Sequence, residues 1–443
     1  MRKLCTWLPF VFLIVLASPG QDESSTLPVR GMPEEFFPEL RKVLSSYEKT
    51  SPILRIERER EKEALARKVV SDGRQGWRIG LGINTYSLHE NREGGPFRSR
   101  YRFLASASGK HPIYHWGALK SESRIAELGV LAARTNYIEK QRVMTSNVRT
   151  SYLNLALQGY ALELAQKSLE LASENEATAA RKRELGLVTE VDLAETKIAT
   201  LRQRIRIFEL ERELQAEKRL FAHETGYDEQ LSFAIPESFR LFVTDFNSKR
   251  PMAPIGGTLL SGLLENLDHA IAIEKEQVIV AEAIRKPKVN LVGSIYQDQV
   301  DVMDSSQTQD RTNLVLGVQV QWDIFDGHES EGRKSEALSR KRRFEMQREY
   351  EKQLLILRRD RLRYDLETRA DLVKSRQELA TVSQEKFEKS RIEFDQNRIT
   401  AEDFFAYRLD LDQSRLDLMN AVVNYLGLLG EYLVLHGEDP TPR

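Results

Sequence analysis

The sequence predicts a mainly α-helical fold with a membrane β-barrel portion, built from a duplicated repeat of a β-hairpin plus a long α-helical coiled-coil hairpin, with four strands per chain contributing to the barrel. Three observations predict it. Apolar residues alternate with polar or small ones in two well-separated pairs of segments. The stretches between them are long, charged and almost free of proline and glycine. The same landmark residues return at a fixed offset along the chain.

Of 443 residues, 66 are basic and 67 acidic, and mean hydropathy is −0.47. A chain of this polarity is not a polytopic helical membrane protein, although low hydropathy does not argue against a barrel. Its balanced charge gives no general electrostatic reason to bind nucleic acid. The single cysteine, Cys5, cannot form an intramolecular disulfide. Arg2 and Lys3 precede an apolar run from Leu4 to Ala17, closed by Ser18, Pro19 and Gly20. That is the layout of a secretory signal peptide; the competing reading, an uncleaved membrane anchor, needs a longer apolar run. Cys5 precedes the run, so a lipoprotein signal is not expected. No other stretch reads as a transmembrane helix.

The mature chain opens with a polar lead-in, residues 21–33, and turns helical from Glu34 to Ser71. Within it, the run Glu57-Arg58-Glu59-Arg60-Glu61-Lys62-Glu63 is a solvated, charge-paired face. The period then drops to two. Ile79, Leu81, Ile83 and Thr85 alternate with Arg78, Gly80, Gly82 and Asn84, and after a turn-rich loop Tyr101, Phe103, Ala105 and Ala107 repeat the pattern. From Gly117 to Glu184 there is no proline, which predicts a helix of roughly 100 Å at 1.5 Å per residue. A second arm follows Gly186, with Ala194, Ile198, Leu201, Ile205 and Phe208 spaced as a coiled-coil seam. Pro236, Pro251 and Pro254 mark a connector, and helix resumes over 258–284. Val289, Leu291, Gly293 and Ile295, then Leu314, Leu316, Val318, Val320 and Trp322, form a second alternating pair. Another long helix follows Gly327 and breaks near Asn397.

The duplication has one register. Pro112-Ile113-Tyr114 matches Asp323-Ile324-Phe325, and Gly186-Leu187-Val188-Thr189 with Asp192 matches Asn397-Arg398-Ile399-Thr400 with Asp403. Subtracting 112 from 323 and 186 from 397 gives 211 in both cases. Helix lengths predict spliced walls: 188–225 with 258–284 beside 118–184, and 34–71 with 400–435 beside 328–396.

Each hairpin has an apolar face without an obvious partner, and an isolated hairpin is marginal in water. Four strands are also too few to close a membrane barrel, which needs about eight. A homo-oligomer sharing one outer-membrane barrel resolves both problems. Trp77, Trp116 and Trp322 then fall at one rim, as a membrane-interface girdle does, although tryptophan also packs at strand ends in general.

On these features the chain resembles the TolC-like family of outer-membrane efflux and secretion channels, over residues 34–436. The resemblance rests on the leader, the duplication, the junctions Pro112-Ile113-Tyr114 and Ile324-Phe325-Asp326-Gly327, and the two hairpin tips. The second tip lacks the first one's glycine, and Asp323 stands where the family has proline. The resemblance implies a homotrimer, with a twelve-stranded barrel in outer-membrane lipid and a helical tunnel across the periplasm. It opens when a periplasmic adaptor (membrane fusion) protein and an inner-membrane pump dock. No catalysis and no cofactor are implied. The expected organisation is a signal peptide (1–20), a first repeat (21–225, with hairpin 77–110 and helical hairpin 117–225), an equatorial connector (226–257), a second repeat (258–436, with hairpin 288–322 and helical hairpin 327–436) and a tail (437–443).

Asp192, Asp403 and Arg398 are the gate candidates that the resemblance implies, the acids facing the pore. The spacings Thr189–Asp192 and Thr400–Asp403 equally fit capping boxes, with Asp replacing the usual Glu or Gln. Gly186, Leu187, Val188 and Thr189, with Asn397, Arg398, Ile399 and Thr400, are the turns that an adaptor would touch. Leu187 and Val188 are apolar residues expected to be exposed. His111 and His115 have a metal-like spacing, but Pro112 between them argues against one helical face. No phosphate loop, nucleophile elbow or zinc signature occurs. The competing function is an exported coiled-coil scaffold or adaptor without a pore, which leaves the two amphipathic hairpins unexplained.

Overall fold

The computed structural model describes residues 32–91, 97–227, 231, 233–246, 261–301 and 308–436. The expected leader 1–20 with Cys5, residues 92–96 and 302–307 of the two strand loops, much of the connector and the tail 437–443 lie outside the described residues. In chain order come α1 (Pro33–Phe36), α2 (Pro38–Thr50), α3 (Pro52–Gly73), β1 (Arg78–Glu90), β2 (Arg98–Tyr114), α4 (Ala118–Glu184) and α5 (Glu190–Thr225). They are followed by α6 (Glu237–Thr244), α7 (Gly262–Ala283), β3 (Lys288–Asp301), β4 (Thr308–Gln321), α8 (Glu329–Asp395) and α9 (Ala401–His436).

The duplication is visible in the element boundaries. The long arms α4 and α8 have 67 residues each, and the short arms α5 and α9 have 36 each. Subtracting 118 from 329 and 190 from 401 gives 211. Ahead of the hairpins the offset is 210, from 52 to 262 and from 78 to 288. One extra residue therefore enters the second copy between the start of its hairpin and its long helix.

The helix expected over 34–71 is in fact three. Pro38 and Pro52 each sit at the first helical position, and the residues before them, Phe37 (φ −111°, ψ 97°) and Ser51 (φ −58°, ψ 123°), leave the helical region. Proline's missing N–H and its clash with the preceding residue explain both breaks. The break at Ser51 is used. Thr50 Oγ1 donates to the Thr225 carbonyl (2.7 Å) and Ser51 Oγ to the Glu224 carbonyl (2.8 Å), receiving the C-terminus of α5.

This joint corrects the expected splicing. α5 continues into α3, not α7, and that spliced column lies along one side of α4. α7 and α9 form the other spliced column, packed between α4 and α8. Their ends meet around a cavity of about 640 Å³ lined by Leu263 of α7, Asn424 and Glu431 of α9, Asn147 of α4 and Leu355 of α8. α3 thus packs on α4 and not, as the length arithmetic suggested, beside 328–396.

The core lies at the belt where these columns are joined. Phe37 packs edge-on to Tyr152 at 5.5 Å and tilted on Phe239 at 4.9 Å, and Phe221, Phe233, Phe246 and Tyr425 extend the cluster. Beside it, Arg149 binds Glu34 in bidentate fashion (3.0 and 2.8 Å), with side chains only 6% and 12% exposed. This pair fixes the N-terminal segment to α4. From Glu402 to His436, α9 is long and apolar enough to cross a membrane, which the sequence reading did not anticipate, but 67% of its most apolar window is buried as core.

The four strands form one antiparallel sheet in the order β1-β2-β3-β4, so β2 and β3 join the two hairpins and β1 and β4 are edges. β2 runs past residue 110 to Tyr114, with an irregularity between Pro112 and Tyr114 where proline cannot donate to the ladder.

Two variants test the belt. Glu34→Ala removes the bidentate carboxylate from a buried guanidinium and is expected to cost about 3 kcal/mol, lowering the thermal midpoint of helix circular dichroism. Gly226 has φ +67°, and a Cβ there would lie 2.3 Å from the Thr50 carbonyl oxygen. Gly226→Ala is therefore expected to lower the same midpoint by more than the roughly 1–2 kcal/mol of left-handed strain alone, because the splice must also open.

Candidate functional site

Residues paired across an antiparallel sheet share a face. Ile79, Leu81 and Ile83 of β1 pair with Gly109, Ala107 and Ala105 of β2. Ala107 pairs with Ile295, and Ile295 with Leu314; Leu291 pairs with Val318 and Val289 with Val320. One face of the sheet is thus apolar from edge to edge. It is uncovered: Leu81 is 84% exposed and Leu316 75%. The opposite face carries Gly80, Gly82, Asn84, Ser106, Ser108, Ser294, Asn313 and Gln319. A sheet apolar on one side and polar on the other, with both edges open, has the form required of a barrel wall shared between chains.

The three tryptophans lie at the helical end of this sheet, just outside β1, β2 and β4. Trp77 stacks on His111 at 5.1 Å, and a Cβ on Gly109 would contact its ring at 3.7 Å, which places it on the apolar face. Trp116 Nε1 donates to the Pro287 carbonyl and Trp322 Nε1 to the Arg285 carbonyl, each at 2.9 Å. Lys286 Nζ stands 5.1 Å from the Trp116 ring. Amphipathic rings tied by N–H to the backbone and otherwise exposed suit a membrane–water boundary. His115 bonds Asn290 Oδ1 at 2.9 Å, so the two histidines of the metal-like spacing have separate partners.

At the far ends of the long helices, both turns have the same construction. After α4, Gly186 (φ +73°) donates to the Arg183 carbonyl and Leu187 to the Lys182 carbonyl. After α8, Asn397 (φ +53°) donates to the Phe394 carbonyl and Arg398 to the Glu393 carbonyl. Each is a Schellman closure, in which asparagine at the second tip adopts the left-handed conformation that glycine adopts at the first.

The next helices start with capping boxes. Thr189 N–H donates to Asp192 Oδ2 (2.8 Å) and Asp192 N–H to Thr189 Oγ1 (3.2 Å); Thr400 and Asp403 repeat this at 3.4 and 3.1 Å. In each pair the threonine hydroxyl also lies 2.7 Å from the aspartate Oδ2. The Thr189 backbone N–H and then its hydroxyl hold Asp192 below the usual carboxylate range.

The structure separates the tip residues that the sequence grouped. Leu187 is exposed at 70%, but Val188 and Ile399 are half-buried. Sequence reading missed two further exposed apolar residues, Leu185 (74%) and Val191 (67%). Their signal was available: at offset 211, Leu185, Leu187 and Val191 correspond to Gln396, Arg398 and Glu402. One tip is apolar and the other polar. Arg183 pairs with Glu190 at 2.9 Å across the first turn, whereas Phe394 takes that place in the second and stacks on Phe404 at 4.8 Å.

Because the folded pKa of Asp192 is depressed, its box is complete above the ordinary carboxylate range and is lost as pH falls through the folded value. Amide exchange in the peptide spanning 185–193 is expected to accelerate over that acidic window. Asp192→Asn should bring the fast exchange to neutral pH, and unchanged exchange would show that the box does not hold the turn.

Comparison with known proteins places these features. Residues 43–222 match the model of the outer membrane efflux protein family. No curated protein matches the sequence. Among solved structures, the chain is similar to the outer membrane protein VceC of Vibrio cholerae, at 13% identity and TM-score 0.70, over 91% of this chain and 97% of that one. It is also similar to the Campylobacter jejuni outer membrane channel CmeC (14%, TM-score 0.73, 91% and 87%) and to the Neisseria gonorrhoeae outer membrane channel MtrE (15%, TM-score 0.68, 90% and 89%). The family match carries the first repeat, and the fold shared with these outer membrane channels extends across both.

Proposed function

We propose that three copies of this chain form an outer-membrane duct through which an efflux pump or type I secretion system exports its cargo. The observation that carries this reading is the four-stranded sheet with one continuous apolar face and two unpaired edges. Three such sheets, joined β4 to β1, make a closed twelve-stranded wall whose apolar face meets lipid, with the tryptophans at its lower boundary. The helical columns continue from the sheet into the periplasm.

The helices support the same assembly. The expected seam of α5 is not used within the chain: Ile198, Leu201, Ile205 and Phe208 are all exposed, between 46% and 61%. α8 exposes Met346, Tyr350, Leu357 and Tyr364 on the other flank. The α3/α5 column and α8 are the two outer columns of the protomer, so α8 of one copy meets α3/α5 of the next.

At the tips, the exposed Leu185, Leu187 and Val191 offer apolar contacts to a periplasmic adaptor. The turns Gly186–Thr189 and Asn397–Thr400 form the docking edge. Asp192, Asp403 and Arg398 are all exposed there, and the caps engage Oδ2 of each aspartate. Capping and gate closure are compatible roles. MtrE is known in an open state, and opening here would part these tips.

The duct reading expects a stable trimer in the outer-membrane fraction that conducts ions in planar bilayers; a soluble monomer would end it. Leu187→Asp is expected to abolish export while leaving the trimer intact, since the Leu187 side chain is 70% exposed and its backbone bond to Lys182 does not depend on it. Normal export by that variant would remove Leu187 from the docking surface.

A further inference from the structure

The polar face of the sheet has a feature that folding does not explain. Arg78 and Lys110 are direct cross-strand partners. Counting along the register from Leu81 and Ala107, both lie on the face opposite the apolar one. Lys288, partner of Gln321, lies on that same face at the same helical end. Like charges directly opposite one another destabilise a sheet. Among the described residues, none of the three cations has an ion-pair partner.

The nearby carboxylates are engaged elsewhere. Asp72 accepts from Ser123 and pairs with Lys68, and Glu122 pairs with Arg74. Glu331 pairs with Arg285 and His328, and Glu282 with Lys334. Asp326 accepts the Ser330 N–H. Asp323, exposed beyond β4, is the remaining acid, and it stands against three cations.

We propose that Arg78, Lys110 and Lys288 form a basic belt at the periplasmic mouth of the barrel that makes the pore prefer small anions to small cations. This rests on the duct reading above. With the apolar face against lipid, the polar face lines the water-filled interior, and each protomer contributes the same three charges. Low-dielectric walls focus their field across the lumen. Rings of arginine and lysine are the arrangement that favours anion passage. The cross-strand repulsion between Arg78 and Lys110 is then retained for permeation.

The test is the zero-current potential of the purified protein in a planar lipid bilayer across a KCl gradient. The wild type is expected to show a potential of the sign set by chloride. The double variant Arg78→Gln, Lys110→Gln should bring the chloride-to-potassium permeability ratio several-fold toward unity, while Lys110→Arg retains it. Lys288→Gln, outside the cross-strand pair, should give a smaller shift in the same direction and serves if the double variant fails to assemble. A cation-selective wild type, or a ratio indifferent to all three glutamine substitutions, would overturn the proposal. A ratio that ignores them but moves with Asp403→Asn would place the filter at the tips and overturn it as well. Absence of any conductance from the wild type would sink the duct reading, and this proposal with it.

Discussion

Backbone hydrogen bonding at the edges of the sheet constrains the rest of the molecule, because neither edge strand can be satisfied inside one chain. β1 and β4 each present a row of unpaired N–H and C=O groups, and the adjoining apolar face has no helix over it. In water such an edge invites uncontrolled pairing, and in lipid each unpaired group costs several kcal/mol. Closure with further copies of the same chain satisfies both demands together. The exposed leucines and the tryptophans at one end suit that closure.

The helical part meets a different requirement. Long α-helices cannot bury a face for their full length without neighbours of equal length, and two of the four columns are made by splicing. Pro52 ends one helix and starts another at the point where α5 arrives, and Gly226 lets its carbonyls approach Thr50 and Ser51 closely. The aromatic cluster and the Arg149–Glu34 pair lie beside this joint, so the core among the described residues sits at the belt where columns change identity. Away from the belt, apolar residues are sparse within the chain and plentiful on its outer flanks.

Much of the site was legible because its signals are local. An i,i+3 spacing of threonine and aspartate is enough to specify a capping box, and both boxes are present. Period two identified the strands. The glycine missing from the second tip was harder to read: Asn397 fills the left-handed position, as its short polar side chain allows. The exposure of Val188 was misread, since a turn residue in sequence carries no record of the helix ends packed beside it. The splice partners were also misread. Lengths add up almost equally well for either pairing, and only the hydrogen bonds between Ser51 and Glu224, with Thr50 and Thr225, decide between them.

The sequence by itself determined the strand pairs, the long helical arms and the duplication, because these depend on periodicity and on proline and glycine placement. Only the tertiary structure decided which columns are continuous, which apolar residues remain exposed at the first tip, and that Arg78 faces Lys110 on the polar side of the sheet. Each of these is set by register and packing between segments far apart in sequence, and such pairings leave no periodic trace in either segment alone.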